Sequence, residues 1–268
     1  MNHKYYFSIA SMFKNESWGL KEWIDHNRFH GVDHIYLIDD FSEDDYLPVL
    51  QPYIDSGYVT LFHNDMSDRF KGRQIHITNK YLLPICKESF WIANIDIDEY
   101  LYSPKNVNLK DVLRKYEDYG DLHANWVWFN SNGFVKQPDG IVKNFTSRAE
   151  YGKYVFSRAQ IAEGQYESTG ACKSIANSNF NIRQFNVHET LTDGETLNLS
   201  YTSNPDDPEL LLNHYQLQSR EYWEKIKMWR RDTNEWYIYP RGWGVFETFD
   251  IGDIIDERLK KQNAEEKI

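Results

Sequence analysis

Residues 90–100 read FWIANIDIDEY, an almost wholly apolar run that closes on two aspartates, Asp96 and Asp98. A short apolar run of this kind is typical of a strand that is buried on both faces of a sheet. We therefore expect a strand over Phe90–Ile97. Residues two apart in a strand face the same side, so the two carboxylates are expected to leave the strand together.

The two carboxylates need a counter-charge, because like charges repel and a bare buried carboxylate is costly. A divalent cation resolves both problems, and oxygen ligands favour Mg²⁺ or Mn²⁺. The alternative is a solvated strand end that carries two ordinary acids. Ligands of parallel α/β sheets bind beyond the carboxyl ends of the strands, and the position of Asp96 and Asp98 therefore favours a metal site.

Towards the N-terminus, strand and helix patterns alternate. Apolar strands in such an alternation predict an α/β protein with a mostly parallel, Rossmann-like sheet covered by helices on both faces. The predicted strands are Lys4–Ser11, Asp33–Asp39 and Tyr58–His63, and the predicted helices are Ser17–His30, a second helix capped by Ser42, and Arg69–Lys87. Asp39 and Asp40 end the second strand, where they could grip a ribose or a base or serve as turn acids.

Beyond Tyr100 the pattern changes to a mixed, partly antiparallel part with shorter segments. It predicts a helix at Leu109–Tyr119, strands at His123–Phe129 and Leu210–Tyr215, hairpin-like strands at Lys173–Ala176 and Ile182–Val187, and a helix at Arg220–Arg231 capped by Ser219. No linker is visible. We expect one domain over residues 1–250, with a nucleotide-binding half (1–100), an acceptor-binding half (101–250) and a charged tail (251–268).

Composition narrows the function. The chain has 268 residues and a net charge of −11, which disfavours nonspecific nucleic-acid binding because such proteins need a basic surface. No apolar run is long enough for a membrane helix and no signal-peptide profile is present, so we expect a cytoplasmic protein without a transmembrane segment. Cys86 and Cys172 are expected to be reduced thiols.

Several motifs together carry a more specific signal. They are the run FSIASMFKNESWGLKEWIDHNRFHGVDHIYLIDDFSEDD at residues 7–45, then Asp96-Ile97-Asp98-Glu99, Trp128-Phe129-x-Ser131-x-Gly133, Lys173-Ser174-Ile175, Val187-His188, and His214-Tyr215 followed by Ser219 and Lys225. This set resembles glycosyltransferases of the GT-A fold, of family 92 and related family-2-like groups. The resemblance covers roughly residues 5–230 and is strongest in the first hundred.

The resemblance implies a single GT-A-type α/β domain that uses a nucleotide-sugar donor, a glycan or glycoconjugate acceptor, and Mn²⁺ or Mg²⁺. Asp98 would then ligate the metal directly, and Asp96 would contact the ribose or reach the metal through water. A late histidine often completes the metal shell in this fold. His214 is the first choice here and His188 the second, although either could be a core or surface histidine.

Other residues are candidates for donor binding. Lys173 could meet the diphosphate as a point charge, or be a surface lysine on a hairpin. Arg73 could also reach phosphate, although a solvated helix face is the plainer interpretation. Lys14, Asn15 and Glu16 follow the first strand and could line the same crevice, or form a solvated loop.

An inverting transferase needs a carboxylate that takes the proton of the acceptor hydroxyl. Glu189, Asp193 and Glu163 are candidates that the sequence does not rank, and the resemblance favours inversion over retention. Aromatic side chains could form sugar-stacking walls or pack in the core; they are Trp128, Trp236, Tyr237, Tyr239 and Trp243.

Two other classes of function remain open at this stage. A catalytically silent carbohydrate-binding module of the same fold would bind glycans without releasing a nucleotide. A metal-dependent nucleotidyltransferase or phosphohydrolase would release pyrophosphate or phosphate. Intact Asp96 and Asp98 argue against the silent module, and no glycine-rich phosphate loop follows the first strand, which argues against P-loop chemistry.

Overall fold

The structure is a computed structural model that describes residues 2–68, 70–150, 172–200, 207–228 and 241–264. Within these ranges, none of the helices combines the length and the apolar character needed to cross a bilayer. Both cysteines are free thiols.

The first hundred residues form the alternating half that the sequence predicts. Its elements are β1 (Tyr5–Phe13), α1 (Ser17–Phe29), β2 (His34–Asp39), α2 (Leu47–Asp55), β3 (Val59–His63), α3 (Arg73–Leu82), a 3₁₀ turn (Cys86–Glu88), β4 (Ser89–Asn94) and β5 (Glu99–Tyr102). Gly31, with a φ of 87°, follows α1 and ends it.

The second half contains more strands and shorter helices. Its elements are α4 (Leu109–Leu113), a 3₁₀ turn (Arg114–Tyr116), β6 (Asp121–Trp128), β7 (Ser147–Arg148), β8 (Cys172–Asn177), β9 (Gln184–Phe185), β10 (Thr190–Leu191), β11 (Thr196–Asn198), β12 (Leu211–His214), α5 (Arg220–Tyr222), a π-type turn (Trp223–Lys227), α6 (Trp243–Phe249), β13 (Ile254–Ile255) and α7 (Arg258–Ala264).

One sheet organises the described part of the chain, with the strand order β3-β2-β1-β4-β8-β6-β12-β5 and β11 paired to β6. The strands β3, β2, β1 and β4 are parallel to one another. β8 runs antiparallel to both β4 and β6, and β12 is parallel to β6 but antiparallel to β5. The predicted α/β class, with a mostly parallel sheet and a mixed second part, is confirmed.

Helices cover both faces of the parallel half, which explains its apolar strands. Leu20, Trp23 and Ile24 of α1 pack in the main core with alternate residues of β1 and β2. Ile77 and Leu82 of α3 pack on the opposite face against Tyr36 and Ile92, among others. Because both faces are buried, all six residues of β2 are buried.

Several predicted boundaries are wrong, for identifiable reasons. Ser42 does not cap α2: its Oγ accepts a hydrogen bond from the Asn15 amide, and α2 begins at Leu47. Lys173 lies on a central strand rather than on a surface hairpin. The Asp96 and Asp98 pair occupies the turn between β4 and β5, since β4 ends at Asn94.

Candidate active site

The turn that carries the two aspartates is fixed by hydrogen bonds from its own residues and from β12. The Asp96 amide donates to Glu99 Oε2 at 2.9 Å, and the Glu99 amide donates to the Asp96 carbonyl at 3.1 Å. The Tyr215 amide, directly after β12, donates to the Asp98 carbonyl at 2.8 Å. The turn therefore holds its two carboxylates at fixed places at the end of β4.

Asp98 is buried, with 5% of its surface exposed, and described side chains from the second half of the chain reach its carboxylate. His214 Nε2 lies 3.7 Å from Oδ1, and Lys227 Nζ donates to Oδ2 at 2.8 Å. His214 arrives here because β12 pairs with β5 in a register that sets it opposite Glu99. The structure therefore brings together Asp98 and the first-choice histidine.

His214 is held as a neutral ring. Burial lowers its pKa to about 4, although Asp98 and Asp96 favour the charged form. Near neutral pH the imidazole thus carries no charge, which is the form that ligates metal ions.

Asp96 faces partly outwards, with 36% of its side chain exposed, and is paired with a buried lysine. Lys173 Nζ donates to Asp96 Oδ2 at 2.9 Å and lies 3.6 Å from Glu99 Oε2. Burial opposes the charge on Asp96, but Lys173 outweighs it and keeps the pKa of Asp96 below its ordinary value. Burial raises the pKa of Glu99 well above its ordinary value, which favours a protonated Glu99.

The donor set fits a divalent cation in part. Adjacent ligands about 2.1 Å from an octahedral Mg²⁺ ion lie about 3 Å apart, and the 3.7 Å between Asp98 Oδ1 and His214 Nε2 is longer than that spacing. Within the described ranges, no three His, Cys, Asp or Glu side chains form a group that could hold an ion. An ion here would need further ligands from substrate phosphate and water, as is usual for Mg²⁺.

Glu16, expected in the donor crevice, is instead buried behind Asp98. Its carboxylate accepts from Tyr222 Oη at 2.6 Å and from Lys227 Nζ at 3.0 Å. Lys227 therefore bridges two buried carboxylates, and its own side chain is 2% exposed. Lys227 and Tyr222 are site residues that sequence reasoning missed.

The ends of β1 and β2 form a second polar cluster. Asp39 accepts from the Ser42 amide and from Tyr46 Oη, and Asn15, with a φ of 55°, accepts from the Glu43 amide through Oδ1. Lys14 directly precedes Asn15 at the end of β1.

Asp40 and Arg73 form a buried bidentate pair. Nη1 and Nη2 donate to the two carboxylate oxygens at 2.9 Å and 2.7 Å, and Asn64 donates to Asp40 as well. Arg73 also donates to the carbonyls of Asp68 and Met66. In this arrangement Arg73 fixes the end of β2 to the start of α3.

His188, the second-choice histidine, lies outside the immediate environment of Asp98. Its Nδ1 is 3.1 Å from the Cys172 carbonyl oxygen, and its ring meets Trp126 edge to face at 5.2 Å. Trp126 also contacts His214, whose ring centroid is 4.3 Å from that of Trp126. Trp126 therefore links the two candidate histidines.

The candidate bases differ in their surroundings. Glu189 is exposed and directly follows His188 in the turn between β9 and β10. Asp193 is exposed on the next loop and lies 3.3 Å from the Arg183 guanidinium. Glu163 lies outside the described residues, as do Trp236, Tyr237 and Tyr239.

The remaining aromatic candidates are packed. Trp128 is 8% exposed, donates through Nε1 to the Phe249 carbonyl, and contacts the His214 ring at 4.9 Å. Trp243 packs against Phe246 at 5.7 Å, with the Arg220 guanidinium 4.3 Å above its ring. Trp128 therefore forms the wall behind His214, whereas Trp243 belongs to a cluster around α6.

Fold and site together define an α/β protein with an acidic centre at the carboxyl end of the central strand β4. Two buried lysines, Lys173 and Lys227, are paired with its aspartates. The family model described as "Glycosyltransferase family 92" matches residues 3–256. The chain therefore belongs to glycosyltransferase family 92.

Curated relatives agree with this assignment. A glycosyltransferase family 92 protein of Ricinus communis is 25% identical over 230 residues, covering 83% of this chain and 37% of its own length. One from Oryza sativa subsp. japonica is 31% identical over 146 residues, covering 52% and 24%. A galactan β-1,4-galactosyltransferase of Arabidopsis thaliana is 29% identical over 127 residues, covering 45% and 25%. The matches thus span about a quarter to just over a third of these relatives.

Among solved structures, the chain is similar to residues 1–349 of S. aureus TarS. The identity is 13% and the TM-score 0.39, with 73% of this chain and 61% of that chain covered.

Proposed function

We propose that the chain transfers a sugar from a nucleoside diphosphate sugar to a hydroxyl of a glycan, with Mn²⁺ or Mg²⁺ held by Asp98 and His214. The observation that carries this proposal is the meeting of Asp98 Oδ1 and a neutral His214 Nε2, 3.7 Å apart, at the end of β4. Family membership supports the reaction class.

Glycosyl transfer needs a leaving diphosphate. A divalent cation bound at Asp98 and His214 would neutralise the charge that develops on it. In this proposal Lys173 holds the partly exposed Asp96 carboxylate towards the donor, and Asp96 would contact the ribose or reach the ion through water. Lys173 acts through Asp96 and Glu99, since its ammonium lies between the Asp96 carboxylate and the Glu99 carboxyl group.

The nucleoside end of the donor is proposed to lie along the ends of β1 and β2. Lys14, Asn15 and Asp39 lie there, and the pair of Asp40 with Arg73 fixes the end of β2 to the start of α3. Arg73 contributes by fixing this edge, because its guanidinium already donates to one carboxylate and two carbonyls.

We further propose an inverting mechanism in which Glu189 takes the proton of the acceptor hydroxyl. Glu189 is exposed and adjoins His188, whose ring contacts Trp126 beside His214. Asp193 is the weaker candidate because its carboxylate is paired with Arg183. Two curated relatives are named galactan β-1,4-galactosyltransferases, so galactose on a galactan is the first donor and acceptor class to try.

The released product tests this proposal against its rivals. Purified chain is incubated with nucleotide sugars, glycan acceptors and Mn²⁺, and the products are separated by chromatography and mass spectrometry. Elongated glycan with an equal amount of nucleoside diphosphate supports the transferase. Pyrophosphate or free phosphate would indicate a nucleotidyltransferase or phosphohydrolase, and glycan binding without any product would indicate a silent binding module.

A further inference from the structure

Lys227 is buried between two acidic side chains from distant parts of the chain. Its Nζ donates to Asp98 Oδ2 at 2.8 Å and to Glu16 Oε1 at 3.0 Å, and 2% of its side chain is exposed. A charge removed from water in this way is costly unless it is paired and hydrogen-bonded. These contacts supply the pairing, and they fix the ammonium to one place.

The local helix geometry brings Lys227 to this position. Ser219 caps α5 by accepting from the Tyr222 amide at 3.0 Å, and the helix then widens into the π-type turn Trp223–Lys227, in which the Met228 amide donates to the Trp223 carbonyl at 2.7 Å. In a regular α-helix, residues five apart point about 140° away from each other. Here Tyr222 and Lys227 both reach the Glu16 carboxylate.

The two carboxylate oxygens of Asp98 consequently have different surroundings. Oδ2 accepts the short hydrogen bond from Lys227, whereas Oδ1 faces His214 Nε2 at 3.7 Å, a separation too long for a hydrogen bond. A rotation of the carboxylate about its terminal bond would exchange these oxygens or turn both away from His214. The hydrogen bond to Lys227 opposes that rotation.

We propose that Lys227 is a positioning residue, which keeps Asp98 Oδ1 turned towards His214 and thereby sets the affinity of the chain for a divalent cation bound together with a nucleoside diphosphate. This inference rests on the proposed function. The partners of metal-ligating groups commonly change metal affinity by about 10–100-fold when they are removed. Lys227 touches neither the ion nor the sugar in this account and acts only through Asp98.

The test compares Lys227→Met, Lys227→Arg and Lys225→Met. Lys225 lies two positions earlier, is 56% exposed, and pairs with Glu221 on the surface, so its loss is a matched control. Isothermal titration with Mn²⁺ alone, and with Mn²⁺ plus UDP, ADP or GDP, measures affinity without turnover. We expect Lys227→Met to bind Mn²⁺ with the nucleotide about 10-fold more weakly or worse. Lys227→Arg is expected to recover most of that loss, and Lys225→Met to match the unmodified chain.

A folded Lys227→Met variant that binds Mn²⁺ and nucleotide as tightly as the unmodified chain, or more tightly, would overturn the inference and leave the proposed function standing. If the unmodified chain binds none of the three nucleotides with Mn²⁺, the proposed function fails and this inference fails with it. If Lys227→Met does not fold, Glu16→Gln instead removes the charge of the second carboxylate that holds the ammonium. We then expect weaker binding, and unchanged binding would overturn the inference.

Discussion

At the scale of single residues, the centre combines Asp98 with two groups that lie more than a hundred positions later in the chain. Asp98 comes from the turn after β4, His214 from the end of β12, and Lys227 from the π-type turn after α5. His214 is neutral because burial lowers its pKa to about 4, and the Lys227 ammonium is paired with the carboxylates of Asp98 and Glu16. Asp98 is therefore the residue on which the proposed chemistry depends.

Replacing Asp98 with Asn tests that dependence with little change in shape. The amide is a poor metal ligand, and loss of metal-assisted charge neutralisation is expected to lower the transfer rate by about 100-fold or more. Circular dichroism is expected to show an unchanged fold. Full Mn²⁺-dependent activity in this variant would place the metal elsewhere.

Glu189 and Asp193 offer a matched comparison for the base. Glu189→Gln is expected to lower kcat by about 100-fold, since general-base catalysis contributes about 10²–10⁴-fold. Asp193→Asn is expected to leave kcat unchanged, because its carboxylate is exposed and engaged with Arg183. Steady-state kinetics with saturating donor measure both. Equal losses, or a loss only in Asp193→Asn, would contradict the assignment of Glu189.

At the scale of elements, the buried pair of Asp40 and Arg73 joins the end of β2 to the start of α3. Arg73→Met leaves the Asp40 carboxylate buried with one neutral donor, Asn64. The expected loss is about 3–5 kcal/mol in the free energy of unfolding, measured by urea denaturation. The double variant Asp40→Asn/Arg73→Met is expected to be more stable than Arg73→Met alone. A negligible loss in the single variant would show that the pair does not hold these elements together.

The start of β2 gives a dependence on pH. Burial, with a contribution from Lys4, lowers the pKa of His34 from 6.5 to about 4. Between these values the unfolded chain binds a proton that the folded chain does not, so folded-state stability falls as the pH falls from 6.5 towards 4. The stability gap between the unmodified chain and His34→Gln is therefore expected to shrink in this window, by up to about 1.4 kcal/mol per pH unit. Urea denaturation at pH 7.5 and pH 5 measures it, and a constant gap would contradict the lowered pKa.

At the scale of the whole molecule, the sequence predicts the sheet better than it predicts the site. The apolar strands and the period of α1 are local signals, and the class and most elements of the first half follow from them. The placement of Lys173 does not follow, because β8 enters the sheet between β4 and β6, far from both in sequence. Lys227 escapes notice because a regular helix would not direct it to the same carboxylate as Tyr222.

The sequence offers His214 and then His188 as the histidine of the metal site, and of these two the structure brings His214 beside Asp98. For Arg73 and Glu16 the sequence suggests donor binding and does not reveal their partners within the protein. Both are charged residues near strand ends, where a ligand contact is a reasonable expectation, yet each is bonded to a buried partner within the protein. The contacts in the folded structure distinguish a charged side chain that is available to a substrate from one that is paired within the protein.

Thermal unfolding of the unmodified chain and of Asp98→Asn tests whether Asp98 binds a nucleoside diphosphate through a divalent cation. Each is measured with UDP, ADP, GDP and CDP, with and without Mn²⁺. A ligand that binds only the folded state at 100-fold over its Kd stabilises by about 2.7 kcal/mol, which is several degrees in Tm for a chain of this size. We expect such a rise with one nucleotide, only with Mn²⁺, and its loss in Asp98→Asn. An equal rise in both proteins, or none in the unmodified chain, would contradict this expectation.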